Sequence, residues 1–377
     1  MMLIWFGSTG IIAPETLRLF WIGLPAAVIG TWLGLKLYGK LDESNFSGGC
    51  PRAPARFRDH AAVMAVEQSW MNQHFPNLSR RTVLAGFGAA TLFPNSALSA
   101  APHRLTLGEF EIIVLSDGHL TVPTRFLARN TSEAEIAFAI GVGTATVTPP
   151  CNVTLVRTPT ETILIDVGSG PHYMPGAGKL AQNMEAAGID RHSISKVVFS
   201  HAHPDHLWGL LDDFDDTPMF PNASYLISAA ELNFWLAEDA VSRLPEDRQN
   251  FAAGARRNLE RIKKKLQTIK PGQDIAAGMR VLDTSGHTAG HICIEISRGP
   301  EGLVVLSDAL THPIISFAHP DWMPAADHHD PQRAAAVRKT LLDKIATDRQ
   351  RVIGFHLPFP GIGIVERSGS TYRFVPA

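Results

Sequence analysis

The sequence predicts an α/β protein in which two sheets carry helices on their outer faces. Short runs rich in valine, isoleucine and leucine recur through residues 104–377 and are bounded by glycine, proline or aspartate, as strands are. Helical patterns interleave with the later runs, whereas the first strands follow one another directly. Successive strands followed by strand–helix alternation favour two sheets with helices outside them.

The predicted strands are short, and each is an alternating or continuous apolar run. They cover 111–117, 152–158, 162–168, 196–200, 224–228, 279–284, 291–297, 303–308 and 351–355. The predicted helices cover 178–188, 228–239, 251–269 and 330–348. A basic run at 261–265 falls on the third helix, where it is expected to face solvent.

Charge and length divide the chain into unequal parts. The 377 residues carry a net charge of −2, which argues against a nucleic-acid partner. Residues 1–103 hold 8 basic and 5 acidic side chains, whereas the remainder holds 26 and 31. We therefore predict an upstream extension at 1–70, an export signal at 71–101 and a single domain at 102–377.

The extension contains one candidate membrane segment. Its 17 uncharged residues from Leu19 to Leu35 would span ~25 Å as a helix, and the flanking aromatic residues suit a transmembrane helix over 19–38. A buried core helix and a signal-peptide core are the alternatives. The run at 18–46 resembles the last helices of a sulfite-exporter-type permease, although one helix cannot form a transporter.

A twin-arginine pattern follows this segment. Arg80 and Arg81 precede an uncharged stretch that ends in small residues around 97–100, which is typical of a twin-arginine export signal. An ordinary helix start is the alternative. Because such a signal belongs at an N-terminus, we expect translation to begin near Met71 and the protein to be periplasmic. If residues 1–70 are translated, we expect a membrane anchor.

Metal-binding residue types cluster where predicted strands end. The strand at 196–200 runs directly into His201, His203, Asp205 and His206. In an extended loop, His201 and His203 point to the same side and can reach one ion. Asp205 and His206 begin a helical turn and diverge toward a neighbouring position. A solvated loop does not need three imidazoles, so this segment predicts metal binding.

Three further candidates end later strands. His287 lies in a glycine-flanked loop, Asp308 ends a buried run, and His356 precedes a proline-rich loop. Each alone could be a hydrogen-bonded core residue. As a set, the seven residues supply ligands for two metals if Asp308 is shared, with open positions for water.

The motifs HAHPDH, SGHTAGH, SDA and FHLPF together resemble the metallo-β-lactamase superfamily. Within it, the chain is most similar to the methyl parathion hydrolase group, through LGEFEIIVLSDG, AGKLAQNMEAAGID, FPNASYLISAAELNFW, HLPFPGIG and YRFVPA. The resemblance covers residues 104–377. It implies an αββα metallo-β-lactamase sandwich with a single catalytic domain and a site at one edge, between the sheets.

The resemblance also assigns ligand roles. His201, His203 and His287 would bind the first metal; Asp205, His206 and His356 would bind the second; Asp308 would bridge them. Two divalent ions, zinc, are the implied cofactors. Asp166 and His291 match supporting residues and not ligands.

Two metals of this kind predict hydrolysis. A hydroxide bridging them is a nucleophile at neutral pH, and we assign Asp205 and Asp308 to catalysis because they would hold the metals that carry it. The sequence offers no side-chain general acid, which favours good leaving groups in aryl phosphotriesters, lactones or activated esters. The expected partner is a small-molecule substrate, and a homodimer is left open.

Aromatic residues are the candidates for the substrate pocket, with core packing as the alternative for each. They are Trp208, Phe234, Trp235, Phe251 and Phe317. Two positions depart from the resemblance: Trp208 stands where relatives usually have glycine, and is expected to narrow the cleft. Ser307 replaces the glycine common before the bridging aspartate.

Two other functions remain open from the sequence. A mononuclear iron oxygenase acting on sulfur compounds uses the same fold, although the full second ligand set argues against it. A noncatalytic, exported metal-binding protein is the other alternative.

Overall fold

Two seven-stranded sheets form the framework of the computed structural model, which describes residues 101–141, 143–299 and 301–377. Within these residues, the strands in chain order are β1 His103–Leu107, β2 Phe110–His119, β3 Val122–Pro123, β4 Thr146–Val147, β5 Pro150–Arg157, β6 Thr162–Ile165, β7 Lys196–Phe199, β8 Ser224–Ser228, β9 Leu266–Ile269, β10 Asp274–Ala276, β11 Met279–Asp283, β12 Ile292–Arg298, β13 Glu301–Ser307, β14 Arg351–Gly354, β15 Ile362–Ser368 and β16 Thr371–Pro376. The α-helices are α1 Glu133–Ile140, α2 Leu180–Ala186, α3 Pro204–Leu207, α4 Ala229–Leu236, α5 Gln249–Ile262, α6 Ile315–Ala318 and α7 Pro331–Asp348.

Both sheets are mixed. The first has the order β1-β2-β5-β6-β7-β8-β9, antiparallel up to β6 and parallel from β6 to β9. The second runs β10 to β16 in chain order, and its one parallel pair is β13 with β14. β3 and β4 form a separate two-stranded ribbon.

Alternation along the strands builds a layered core. In β2, Ile112 and Val114 point into a cluster shared with β11–β14 of the other sheet, whereas Ile113 and Leu115 point to the opposite face, where the cluster includes residues of α2, α4 and α5. On the outside of the second sheet, residues of β12–β14 pack against α7. Helix, sheet, sheet and helix therefore form four layers, and the predicted αββα sandwich is confirmed.

Each predicted strand and helix corresponds to an observed one, with one clear error in a boundary. The helix predicted over 251–269 ends at Ile262, and its last four residues form β9. Leu266 and Ile269 are three residues apart, which fits a helical face, but Leu266 begins parallel pairing with β8 at the sheet edge. The basic run at 261–265 exposes Arg261 and its three lysines, as predicted.

The predicted extension at 1–70, its segment at 19–38 and the export signal up to residue 100 lie outside the described residues and stay predictions. Among the residues that are described, no helix combines the length and the apolar character needed to cross a membrane.

Candidate metal centre

The seven predicted ligands converge at one edge of the sandwich. Four of them, from His201 to His206, follow β7, and Pro204 starts α3 so that Asp205 and His206 lie in its single turn. Asp308 directly follows β13. The other two lie in loops, His356 after β14 and His287 between β11 and β12. All seven are buried.

The first ligand set consists of His201, His203 and His287. The Nδ1 atom of His203 lies 3.0 Å from the Nε2 atoms of both His201 and His287. Asp308 faces this set through Oδ2, at 3.3 Å from His287 Nε2 and 3.9 Å from His201 Nε2.

The second ligand set consists of Asp205, His206 and His356. Asp205 Oδ2 lies 3.4 Å from His206 Nε2 and 3.2 Å from His356 Nε2. Asp308 faces this set through its other oxygen, Oδ1, at 3.1 Å from His206 Nε2 and 3.5 Å from His356 Nε2. One carboxylate therefore joins the two sets.

The donor atoms fit two metal ions. Tetrahedral coordination with bonds of ~2.0–2.1 Å places ligand atoms roughly 3.3 Å apart, which is the spacing observed in both sets. In each set of four, including Asp308, all donor atoms lie within 4.8 Å of one another. His206 Nε2 and Asp308 Oδ1 are buried without a hydrogen-bond partner, and a cation would satisfy both.

The electrostatics of the two sets differ. Burial, and then the charges of neighbouring histidines, lower the pKa of His201 and His203 well below the usual value, so their lone pairs are available. Burial also acts to lower the pKa of His206 and His356, but nearby carboxylates, Asp308 foremost, outweigh it and raise both pKa values. The second set therefore already attracts positive charge, in the form of protons that a metal ion would displace.

Hydrogen bonds outside the two sets fix the ring orientations. Nδ1 of His206 lies 2.8 Å from Asp166 Oδ2, and Nδ1 of His287 lies 2.8 Å from Asp327 Oδ1. Nδ1 of His356 lies 2.8 Å from the carbonyl oxygen of Pro150. In each ring the Nδ1–H bond leaves Nε2 free to face the centre, which is the usual arrangement of metal-binding histidines.

Asp327, His328 and Glu231 support the site but were missed by the sequence analysis. Asp327 receives hydrogen bonds from His287 and from the guanidinium of Arg338, while His328 Nε2 lies 2.8 Å from His203 Nε2. These residues stand far along the chain from the ligands they contact, in no local motif. The sequence shows Glu231 only as a carboxylate within a helical pattern, and Asp327 and His328 only as an Asp-His pair in a loop.

Glu231 connects the two ligand loops. Its carboxylate accepts hydrogen bonds from the backbone N–H of Ala202 and Gly290, the hydroxyl of Thr288 and the indole N–H of Trp235. Ala202 lies between two ligands of the first set, and the other loop carries the third. The fully buried Glu231 thus holds both loops in place.

The two residues beside Asp308 explain its position. His291 accepts a hydrogen bond from the Asp308 N–H at its Nε2, while its Nδ1 lies 2.7 Å from the Thr284 hydroxyl, so it supports the site without facing it. Ser307 has a left-handed backbone with φ of 46°, where glycine is ordinarily favoured. Its hydroxyl contacts that of Ser200 at 2.6 Å, which partly offsets the cost.

Replacing Asp166 by asparagine tests the outer hydrogen bonds. Asp166 has a positive φ of 63°, a conformation that asparagine tolerates, so the backbone should be preserved. An asparagine amide has only one acceptor oxygen. It cannot accept from the backbone N–H of Ser200 and also from the Nδ1–H of His206, so the His206 ring loses its orientation. We expect the affinity for the second metal to fall about 10- to 100-fold. Competition with a chromophoric chelator measures this. Asp190→Asn, at an exposed aspartate that contacts His192, is the control and should leave the metal affinity unchanged. Equal metal affinities in the two variants would show that Asp166 does not support the second metal.

A cavity of about 430 Å³ opens onto the metal centre. His203, Asp205, Asp308 and His356 line its floor. The walls are mainly apolar and include Leu120, Val122, Phe126, Leu127, Tyr173, Met174 and Phe251, together with Arg125 and Arg248. A larger groove of about 700 Å³ beside α2 contains none of the seven ligand candidates.

Of the five aromatic residues predicted for the substrate pocket, Phe251 lines this cavity and the other four do not. Trp208 lies one layer behind it, with its ring 5.6 Å from Tyr173 and 6.3 Å from Phe251. Trp235 is fully buried beneath His203, at 6.0 Å between ring centroids, and Phe234 packs on Trp235. Phe317 belongs to the core outside the second sheet, where it contacts Phe374.

The chain belongs to the metallo-beta-lactamase superfamily, because the sequence profile of that family matches residues 147–356, more than half of the chain. Two curated proteins named probable metallo-hydrolase, from Mycobacterium tuberculosis and Mycobacterium bovis, are each 24% identical over 184 residues. The match covers 43% of this chain and 57% of each relative's length.

Solved structures extend the similarity over the described domain. AidC, a dizinc quorum-quenching lactonase in complex with the product N-hexanoyl-L-homoserine, is 29% identical with a TM-score of 0.69, covering 74% of this chain and 97% of AidC. The hydrolase AbOPH is 26% identical with a TM-score of 0.69, covering 74% of this chain and 98% of AbOPH. A probable metal-dependent hydrolase from Staphylococcus aureus shares the fold at 16% identity and a TM-score of 0.62, covering 72% of this chain and 99% of that protein.

Proposed function

We propose that this chain is a dinuclear-metal hydrolase that cleaves an ester-type bond. The observation that carries the proposal is the position of Asp308, whose two oxygens each face one complete set of three ligands. A mononuclear centre needs only one of these sets and would leave the other as a costly buried cluster of charges. The similarity to a dizinc lactonase and to the hydrolase AbOPH supports the same reading.

The substrates that we propose are lactones, activated esters and aryl phosphotriesters, in keeping with the resemblance to the methyl parathion hydrolase group. His201, His203 and His287 would hold one divalent ion, Asp205, His206 and His356 the other, and Asp308 both; zinc suits this nitrogen and oxygen set. When bound, the ions lower the pKa of water toward neutrality and polarise the C=O or P=O oxygen of the substrate.

The chain's own residues provide orientation and exclude water. The apolar walls around Phe251 desolvate a bound substrate, which strengthens electrostatic contacts at the reacting group. Burial, and then the charge of Asp205, raise the pKa of Tyr173, so its hydroxyl stays protonated. This hydroxyl has no hydrogen-bond partner within the described residues, and it can donate to an oxygen that gains negative charge.

A substrate panel tests the proposal. The purified chain is stripped with a chelator, reloaded with zinc and assayed against lactones, 4-nitrophenyl esters and aryl phosphotriesters. We expect turnover that disappears on stripping and returns on reloading, with kcat/KM ranking the three classes. Oxygen consumption with thiol substrates and one bound iron would contradict the proposal, as would metal binding without any turnover.

A further inference from the structure

Arg248 is a buried charge without a partner, and it lines the cavity that leads to the metal centre. Its side chain is 8% exposed, yet no carboxylate in the described residues forms a salt bridge or hydrogen bond with its guanidinium. Its described side-chain contact is with Phe126, whose ring centroid lies 5.4 Å from Cζ. Buried arginines are ordinarily paired, so this one calls for an explanation.

A second buried arginine in the same chain shows the ordinary arrangement. Arg338 is 2% exposed, and its guanidinium donates to the carbonyl oxygens of Ala309, Pro320 and Trp322 and to the Asp327 carboxylate. All three nitrogens of that planar fork donate a hydrogen bond, through four of its five N–H groups. Arg248 differs in that it lines a cavity of about 430 Å³ and no carbonyl or carboxylate of the described residues accepts from its guanidinium.

The charges around Arg248 leave the guanidinium available. Burial acts to lower the pKa of Arg248, Asp247 acts against this, and Arg129 adds to the lowering. Asp247 is exposed and forms no ion pair with it, whereas Arg125 adds a second cation to the cavity wall. The cavity wall thus carries two arginines against one carboxylate, that of the exposed Asp247, and is otherwise mainly apolar, while the two carboxylates on the floor belong to the ligand sets.

We infer that Arg248 binds a carboxylate of the substrate and so positions the scissile bond over the metal centre. A carboxylate accepts two parallel hydrogen bonds from a guanidinium, and Phe126 holds that plane in place from one side. The substrate is therefore an ester or lactone that carries a carboxylate remote from the bond that is cleaved. This inference rests on the proposed hydrolase function and narrows its substrate class.

A matched pair of esters tests this selectivity. 4-Nitrophenyl hydrogen adipate carries a terminal carboxylate, and its methyl ester, 4-nitrophenyl methyl adipate, is uncharged; both release 4-nitrophenol. We expect Arg248→Met to raise KM for the charged ester about 10- to 100-fold, while kcat/KM for the neutral ester changes less than about twofold. Arg280→Met, at an exposed arginine of β11 that pairs with Asp274 and does not line the cavity, is the control and should leave the preference for the charged ester intact.

Two readouts separate recognition from a structural role and from hydrolysis itself. Arg248→Met should leave the melting temperature unchanged or raise it, because it removes an unpaired buried charge, whereas Arg338→Met should lower it markedly. Titration calorimetry with adipamate, which is not an ester, should show binding to the wild type that Arg248→Met abolishes. Adipamate binding can be measured even if neither ester is hydrolysed. A lack of hydrolysis would then count against the hydrolase proposal and not against carboxylate binding by Arg248.

Three results would overturn the inference. One is an equal loss of activity on both esters in Arg248→Met, which indicates a structural role. Another is a wild type that hydrolyses the neutral ester as well as the charged one. The last is an affinity for adipamate that is the same in Arg248→Met and in the wild type. That result would indicate that the adipamate carboxylate binds to the metals and not to Arg248.

Discussion

Asp308→Ala is expected to abolish hydrolysis and to remove both metal ions, because a single side chain completes both ligand sets. Its two oxygens lie 3.1–3.9 Å from the histidine donors of the two sets. Residues that only orient ligands typically contribute 10- to 100-fold, so the loss of a shared ligand should exceed about 100-fold in kcat/KM. Turnover of a 4-nitrophenyl ester and metal analysis of the dialysed variant measure the two effects.

Asp283→Ala is the matched control for this prediction. Asp283 also ends a strand, but its carboxylate is exposed and is bonded to Ser285 and Arg333 outside the centre. That variant should keep both metals and full activity. Retention of two ions by Asp308→Ala, with the fold preserved by circular dichroism, would show that Asp308 does not bridge.

Glu231→Ala is expected to destabilise the fold more than any other single change near the site. Four donors, two of them backbone N–H groups of the ligand loops, would lose their buried acceptor. At about 1 kcal/mol or more for each orphaned donor, the free energy of unfolding should fall by at least about 4 kcal/mol. Urea denaturation with a chelator present measures this loss without the contribution of bound metal.

Glu231→Gln separates the hydrogen bonds from the packing. The glutamine oxygen can still accept from two of the four donors, and the Thr288 hydroxyl can rotate to accept from the new amide. The Gly290 N–H and one N–H of the new amide are then left without an acceptor, so we expect roughly half of the alanine effect, about 2 kcal/mol. If both variants unfold at the wild-type urea concentration, the ligand loops do not depend on Glu231.

The ligand candidates could be predicted from sequence because the pattern that carries them is local. Four stand within six residues after one strand, and the other three directly follow or connect apolar runs. Strand ends converge at the edge of a sandwich, so residue type and position were enough to place them together. The supporting residues Asp327 and Glu231 could not be found this way, because their contacts are made across the fold.

The pocket was harder to predict for a similar reason. Phe234 and Trp235 are neighbours on α4, and the sequence shows that both are aromatic but not that the helix turns them into the core. Phe317 lies on a short helix whose partner, β16, was not predicted at all. Tyr173 and Arg248 do line the cavity, but Tyr173 stands in a loop and Arg248 in a single 3-10 turn before α5, and neither segment has an apolar periodicity. The walls of a cavity depend on how distant loops pack, and a single sequence does not contain that information.

The number of metal ions bound per chain tests the dinuclear account most directly. Purified protein is saturated with zinc, freed of excess by gel filtration and analysed by inductively coupled plasma mass spectrometry against an amino-acid analysis of the same sample. Two ligand sets sharing Asp308 predict two zinc ions per chain. One ion per chain at saturation, or a single tightly held iron that zinc does not displace, would contradict it.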